Sequence, residues 1–372
     1  MSAVERIDKW QQRHPVVGFP LATIYKFGDD FGNYLSALLT YYAFVSILPL
    51  LLLASTVLSW VLVDNPHLQN ELLDSALGSF PVVGEQLKAP EALSGGTAGV
   101  IVGILVATYG ALGVAQALQY AGNTTWGVPR NSRPNPFLSR GRSFVVVLLV
   151  GVSTLIAVSA SIFLHKYWDG SAFGLRVAGF VIGVVVFTLS LLPAFQLAIR
   201  QRLRLGTLIP GAIFAGIGLQ LLQTFGYRYV DGVIRHASDI NAVFATVIGM
   251  LAYLYLAATI VVLAMELNAV RAHRLWPRAL LTPFTDDVDL TPADHRAYRR
   301  QAQAQRHKGY QEIEVVFHER PRRDEDPDAE PDDKPETLNG TDERASRPQT
   351  HRSAPPADRS PHDDEPRHRS PR

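Results

Sequence analysis

The sequence predicts an all-α, polytopic membrane protein with six transmembrane helices in one bundle and a disordered C-terminal tail. Three observations predict this class. Six stretches without a charged residue are each long enough for a helix to cross a bilayer, which takes about 20 residues. Basic residues are concentrated in alternate loops. Residues 320–372 almost lack large apolar side chains.

The six uncharged stretches define a transmembrane domain over residues 34–270 of the 372-residue chain. They occupy residues 34–63, 97–129, 143–164, 177–199, 205–227 and 240–265. A backbone in lipid must satisfy its own hydrogen bonds, so runs this long and apolar are expected to be helices. A soluble domain would not repeat such runs six times.

Lysine and arginine are distributed unequally between the two sets of loops. Fourteen basic residues lie in four segments, against five in the remaining loops. The four segments are residues 1–33, the loops after the second and fourth stretches, and residues 271–278 directly after the sixth stretch. The positive-inside rule places both termini in the cytoplasm. An even number of spans agrees with this orientation. We therefore expect a multi-pass protein of the cell (inner or plasma) membrane, with membrane lipids among its partners.

Three segments outside the spans have distinct compositions. Residues 64–96 form the longest external segment, in which apolar residues at intervals of four predict an amphipathic helix. That helix either lies on the membrane and caps the bundle or acts as a lid over a cavity. Residues 271–319 form a juxtamembrane basic segment, and 294–312 within it predict a basic helix at the membrane surface. Residues 320–372 have too few apolar side chains to form a core and are expected to be a disordered cytoplasmic tail.

Polar residues inside the spans are the strongest functional clues, since each costs free energy unless it finds a partner. Gln116, Gln119 and Asn123 fall on one face of span two, and Gln220 and Gln223 on one face of span five. The two faces either line a polar path for a substrate or form hydrogen bonds inside the bundle. Span one contributes three further residues to the candidate path: Thr40, Tyr41 and Ser46.

Three prolines lie inside the spans, and one acid lies at the end of the sixth. Pro49, Pro193 and Pro210 each remove a helical hydrogen bond, which produces either a static kink or a hinge for alternating access. Glu266 directly follows the sixth uncharged stretch. It is interpreted either as an interfacial acid paired with an arginine of the inner loops or as a proton-coupling carboxylate.

The sequence shows no pattern typical of an enzyme. Without cysteine the chain has no disulfide, thiolate metal site or cysteine nucleophile. Metal-dependent hydrolysis needs clustered His, Asp and Glu ligands, and no such run appears. The glycine-rich segments lack the lysine of a phosphate-binding loop. We expect no catalytic residue, no bound metal, no cofactor and no nucleic-acid partner.

Four groups of residues occur in order along spans one, two, five and six. They are Leu38-Leu39-Thr40-Tyr41-Tyr42 with Ser46 and Leu48-Pro49; Asn123 with Trp126-Gly127-Val128; Pro210-Gly211-Ala212 with Phe214 and Tyr229-Val230; and Tyr253-Leu254-Tyr255 with Glu266-Leu267-Asn268-Ala269. Together they resemble the YihY/BrkB family of inner-membrane proteins, once described as ribonuclease BN. The resemblance covers roughly residues 20–275. It implies six spans with cytoplasmic termini and little about biochemistry, and the missing ligand cluster argues against ribonuclease activity.

These observations favour a transporter or lipid-handling protein with a polar path between its helices. Its substrate would be a small molecule or lipid that the sequence does not identify. The alternative is a non-transporting envelope assembly or integrity factor that acts through residues 64–96 and the tail. Small residues four apart, such as Gly179 and Gly183, permit close helix packing and a homo-oligomer.

Overall fold

Helices account for all the regular structure in the part of the chain that the structure describes. The computed structural model describes residues 3–61, 97–133, 135, 138–149, 152, 172–201, 203–235, 239–285 and 288–318. The external segment 64–96, the greater part of the third predicted span and the tail 320–372 lie outside these residues. The all-α class is confirmed, whereas the count of six spans and the disorder of the tail stay predictions.

The described residues form nine α-helices within one compact unit, Met1–Phe317. They are α1 (Ala3–Arg13), α2 (Pro15–Asp29), α3 (Gly32–Val61), α4 (Thr97–Thr125), α5 (138–149), α6 (Ala172–Ala198), α7 (Leu205–Arg235), α8 (Asp239–His273) and α9 (Pro292–Ala304). A short 3-10 turn, Arg130–Ser132, lies between α4 and α5. Helices α3, α4, α7 and α8 each begin within two residues of the start of a predicted span.

Three of these helices are long and apolar enough to cross a membrane. The qualifying segments are Phe173–Ala198 in α6, Leu205–Gly226 in α7 and Val247–His273 in α8. They overlap the fourth, fifth and sixth uncharged stretches, and the third of them begins and ends seven to eight residues later than the predicted stretch. Helices α3 and α4 are 30 and 29 residues long and contain much of the first two stretches. Their roles as spans remain predictions.

Helix α8 is the centre of the helix packing in the described part of the chain. It contacts α2, α3, α4 and α7, while α6 packs against α4 and α7. Helices α3 and α4 approach each other closely, because a Cβ atom added at Gly110 or Gly113 would overlap Ser46 or Tyr42. Trp126 and Met265 are among the residues of the resulting core. Small residues on α4 therefore allow α3 and α4 to pack closely.

One end of the bundle carries a layer of shorter helices, which we call the base: α1, α2 and α9. The N-terminal segment 1–33 was predicted only to be cytoplasmic, and α1 and α2 occupy most of it. Thr291 caps the N-terminus of helix α9, and its side chain and the Asp294 carboxylate form a reciprocal capping box. Ala293, Asp294 and Ala297 of α9 are buried. The predicted basic helix 294–312 is thus shorter than expected, and one of its faces packs on protein.

Candidate functional site

A buried ionic cluster joins the base to the end of α8. The Lys26 ammonium on α2 donates a hydrogen bond to the Asp30 carboxylate and another, of 3.1 Å, to the backbone carbonyl of Thr125. It also lies 3.4 Å from Glu266 of α8, whose side chain is fully buried. Among the described residues, nothing donates a hydrogen bond to either Glu266 carboxylate oxygen. One ammonium group therefore serves two carboxylates.

The charges on either side of Lys26 determine its ionisation. Burial disfavours its charged form, but the carboxylates of Glu266 and Asp30 together hold the pKa of Lys26 above its ordinary value. For Asp30, burial raises the pKa, and the attraction of Lys26 offsets this only in part. Lys26 thus stays protonated at neutral pH. The cluster carries one more acid than base.

The partner of Glu266 differs from the one the sequence predicts. An arginine of the inner loops was expected, whereas the structure places Lys26, from the helix before span one, beside Glu266. The reason is that α2 packs directly on α8. The only signal in the sequence is a lysine four residues before Asp30 within an otherwise apolar segment.

A second buried network joins α9 to α2 within the base. The Nε of Arg278 donates to Asp294 at 2.6 Å, and one of its terminal nitrogens donates to Asp29 of α2. Its guanidinium carbon lies 5.8 Å and 5.3 Å from the ring centroids of Tyr25 and Tyr298. Arg278 is only 1% exposed. The carboxylates beside it raise its pKa despite the opposing effect of burial.

A cavity of about 80 Å³, the base cavity, lies between α2, α8, α9 and the end of α4. This volume has room for several water molecules or a small ion. The lining includes four basic or imidazole side chains and two acids: Lys26, Arg133, His273, Arg300, Asp29 and Asp30. The Nδ1 of His273 is buried and has no hydrogen-bond partner among the described residues. Such a charged lining favours a polar occupant, such as water or a small ion, that can form hydrogen bonds with it.

The two buried amides of α4 fasten this helix to its neighbours. Asn123 donates to the carbonyls of Gln119 and Ala198 at 2.7 and 3.3 Å and accepts from the backbone amide of Arg200 at 3.0 Å. Gln119 donates to Ser143 at 2.9 Å and accepts from the Ser139 hydroxyl at 2.9 Å. Gln119 is therefore bonded to α5, and Asn123 is bonded to the end of α6 and the residues directly after it.

The other residues of the candidate path lie apart from one another. On α4, Gln116 is exposed. On α7, Gln220 and Gln223 are half-buried, and the Gln220 amide packs where a side chain of Gly183 on α6 would lie. Thr40 and Ser46 of α3 are buried and donate to backbone carbonyls of their own helix, and Tyr41 is exposed. The described residues do not bring the glutamines of α4 and α7 together, and the path stays a prediction.

The three prolines lie inside α3, α6 and α7. Beside Pro210, a side chain of another helix forms hydrogen bonds with the backbone of α7. Asn268 of α8 donates to the Leu208 carbonyl at 3.0 Å and accepts from the Gly211 amide at 2.8 Å. Two sequence groups, Pro210-Gly211-Ala212 and Glu266-Leu267-Asn268-Ala269, therefore meet here. Whether the prolines act as hinges stays a prediction.

We expect Asn123→Ala to destabilise the protein by about 1–3 kcal/mol, because buried backbone groups of α4 and of the α6 end lose their partners. The measurement is an SDS titration of the purified protein in mixed micelles. Asn131→Ala is the matched control, since Asn131 is exposed. Equal stability of the two variants would show that the Asn123 hydrogen bonds contribute nothing.

The comparisons with known proteins cover most of this site. The virulence factor BrkB family model matches residues 23–283, which include Lys26, Glu266 and Arg278 but not α9. The chain is similar to inner membrane protein YhjD of Escherichia coli (strain K12), 23% identical over 287 residues, covering 72% of this chain and 85% of the relative. It is also similar to an uncharacterized protein of Dickeya dadantii (strain 3937), 24% identical over 62% of this chain and 76% of the relative. No solved structure matches it.

Proposed function

Since the chain belongs to the virulence factor BrkB family, we propose that it is a multi-pass inner-membrane transporter or lipid-handling protein whose polar path ends at the base cavity. The relative in Escherichia coli is an inner membrane protein by name. The basic loops support the same orientation for this chain, with both termini in the cytoplasm. The base cavity then lies at the cytoplasmic end of the path.

The observation that carries this proposal is Glu266, a fully buried acid on a helix apolar enough to cross a membrane. An ionisable group inside a membrane helix is costly, and such groups mark substrate paths or proton relays. Its partner Lys26 comes from a separate helix, α2. A pair between two helices is broken when the helices separate, whereas a pair within one helix is not.

The Lys26–Glu266 pair is suited to act as a gate between the bundle and the base cavity. Lys26 holds α2 against the end of α4 through Thr125 and against α8 through Glu266. While these contacts persist, the cytoplasmic end of the path is closed. Weakening the pair shifts the population toward an open state by the free energy that the pair contributes to the closed one.

The test is transport by the purified full-length protein in liposomes, assayed for solute flux and for lipid scrambling. We expect wild-type protein to exceed protein-free liposomes in one of the two assays. Glu266→Gln should raise that rate several-fold, because the Gln side chain keeps its shape and loses the attraction to Lys26. Glu312→Gln is the matched control, since Glu312 is exposed.

Two results contradict the proposal at different points. If the wild-type protein supports neither flux nor scrambling, the transport proposal is wrong. The protein is then better explained as a non-transporting envelope assembly or integrity factor. If the wild-type protein transports but Glu266→Gln behaves as Glu312→Gln does, the path exists and the gate at Lys26 is wrong.

A further inference from the structure

A basic groove lies beside the base cavity, between the end of α8 and the outer face of α9. It has a volume of about 340 Å³ and shares His273 and Arg300 with the base cavity. Its lining is Ala272, His273, Arg296, Arg299, Arg300 and Gln303. The lining holds three arginines and no acid, in contrast to the base cavity with its two aspartates.

The arginines of the groove follow the helical repeat of α9. Arg296, Arg299 or Arg300, and Gln303 are three to four residues apart, so they lie along one face of the helix. Like charges at this spacing repel each other and destabilise an isolated helix. An anion bound between them removes this repulsion.

The hydrogen bonds that the structure gives these arginines go to neutral acceptors. Arg296 donates to the backbone carbonyl of Arg274 at 2.6 Å, and Arg300 donates to the carbonyl of Trp126 at 3.3 Å. These bonds orient two guanidinium groups without neutralising them. The Arg274 carbonyl follows the end of α8, so Arg296 also offsets the negative end of that helix dipole. Arg299 is exposed and completes the positive rim of the groove.

The position of the groove indicates which anion it meets. It lies where the apolar segment Val247–His273 ends, and the headgroup layers extend only about 5–8 Å beyond the hydrocarbon core on each side. The exposed aromatic side chain of Phe31, 65% accessible, lines the adjoining base cavity. An exposed apolar ring beside the end of a membrane helix is more favourably placed against lipid than in water. The groove and the headgroups are thus at a similar depth.

We propose that this groove binds the phosphate of an anionic membrane lipid, with Arg299 and Arg300 as its principal ligands. The planar fork of a guanidinium group donates two parallel hydrogen bonds to phosphate oxygens, which an ammonium group does not. The bound lipid would neutralise the groove and hold α9 against the end of α8. The proposal does not rest on the identity of the transported substrate.

The experiment titrates purified full-length protein in neutral detergent with phosphatidylglycerol and, separately, with phosphatidylcholine of the same acyl chains. Binding is followed by native mass spectrometry. We expect phosphatidylglycerol to bind more tightly. Arg299→Gln should weaken that binding about fivefold, the factor that one basic residue contributes near an anionic lipid surface. Arg13→Gln is the matched control, because Arg13 is exposed on α1 and the substitution removes the same charge.

Three results would overturn the proposal. The first is equal binding of the two lipids. The second is equal weakening by Arg299→Gln and Arg13→Gln, which would indicate a general attraction to positive charge. The third comes from a parallel titration with inorganic phosphate: if phosphate binds as tightly as phosphatidylglycerol and shows the same dependence on Arg299, the groove is a free-phosphate site. Because Arg299 is exposed, its substitution should leave the thermal midpoint unchanged, and this is measured alongside.

Discussion

Lys26→Met should destabilise the protein by about 3–5 kcal/mol, the typical effect of removing one partner of a buried ion pair. The variant keeps the length of the side chain but leaves Asp30 and Glu266 buried without a cation. It also removes the hydrogen bond to the Thr125 carbonyl. The measurement is the free energy of unfolding from an SDS titration in mixed micelles. Lys308→Met is the control, since Lys308 is exposed.

Glu266→Gln should have a much smaller effect on stability than Lys26→Met, although both remove one charge from the same cluster. After Glu266→Gln, one ammonium and one carboxylate remain, and their charges balance. We therefore expect a change within about 1 kcal/mol of wild type, because no buried charge loses its only partner. If Glu266→Gln lowered the free energy of unfolding as much as Lys26→Met, the stability of the cluster would depend on each ion pair separately and not on its charge balance.

Gly211→Ala should destabilise the protein by about 2–5 kcal/mol, combining an overpacked contact with weakened buried hydrogen bonds. A Cβ atom at this position would overlap the backbone carbonyl of Ala264 and the amide group of Asn268. The backbone of α8 cannot rotate away as a flexible side chain could. Asn268 would have to leave its bonds to Leu208 and Gly211.

Gly206→Ala, in the same helix, is the matched control for this substitution. Nothing lies within 4 Å of a Cβ atom built there, so alanine should be neutral or slightly stabilising through its better helix propensity. The two variants are compared by SDS titration in mixed micelles. Equal stability of the two variants would show that the close contact between α7 and α8 around residue 211 does not contribute to the stability of the protein.

Hydropathy predicted the long helices well because the information is local. The starts of α4 and α7 coincide with the predicted starts of spans two and five. At both places the apolar run and the helix begin at the same residue. Local patterning also placed Gln119 and Asn123 on one face of α4. It could not identify their partners, because these are mainly backbone and hydroxyl groups of α5 and α6. A backbone carbonyl has no signature in composition.

The base could not be predicted from local patterns. Lys26 was counted as one of several basic residues that set orientation, and its contact with Glu266 joins residues far apart in the chain. Arg278 was likewise counted as a positive charge near the membrane, although it is almost completely buried. A charge count treats every arginine as exposed to solvent. Only the packing of α2 and α9 against α8 distinguishes the buried ones.

The position of Arg278 has a consequence for how the protein is completed during synthesis. Asp29 and Arg278 are 249 residues apart. At about 5–20 residues per second, α2 leaves the ribosome some 12–50 seconds before its arginine is made. Through that interval α2 lacks its contact with Arg278. Closure of the base is therefore expected to be a late folding event. A nascent chain arrested before Arg278 would contain the apolar helices but not the contact that joins α2 to α9.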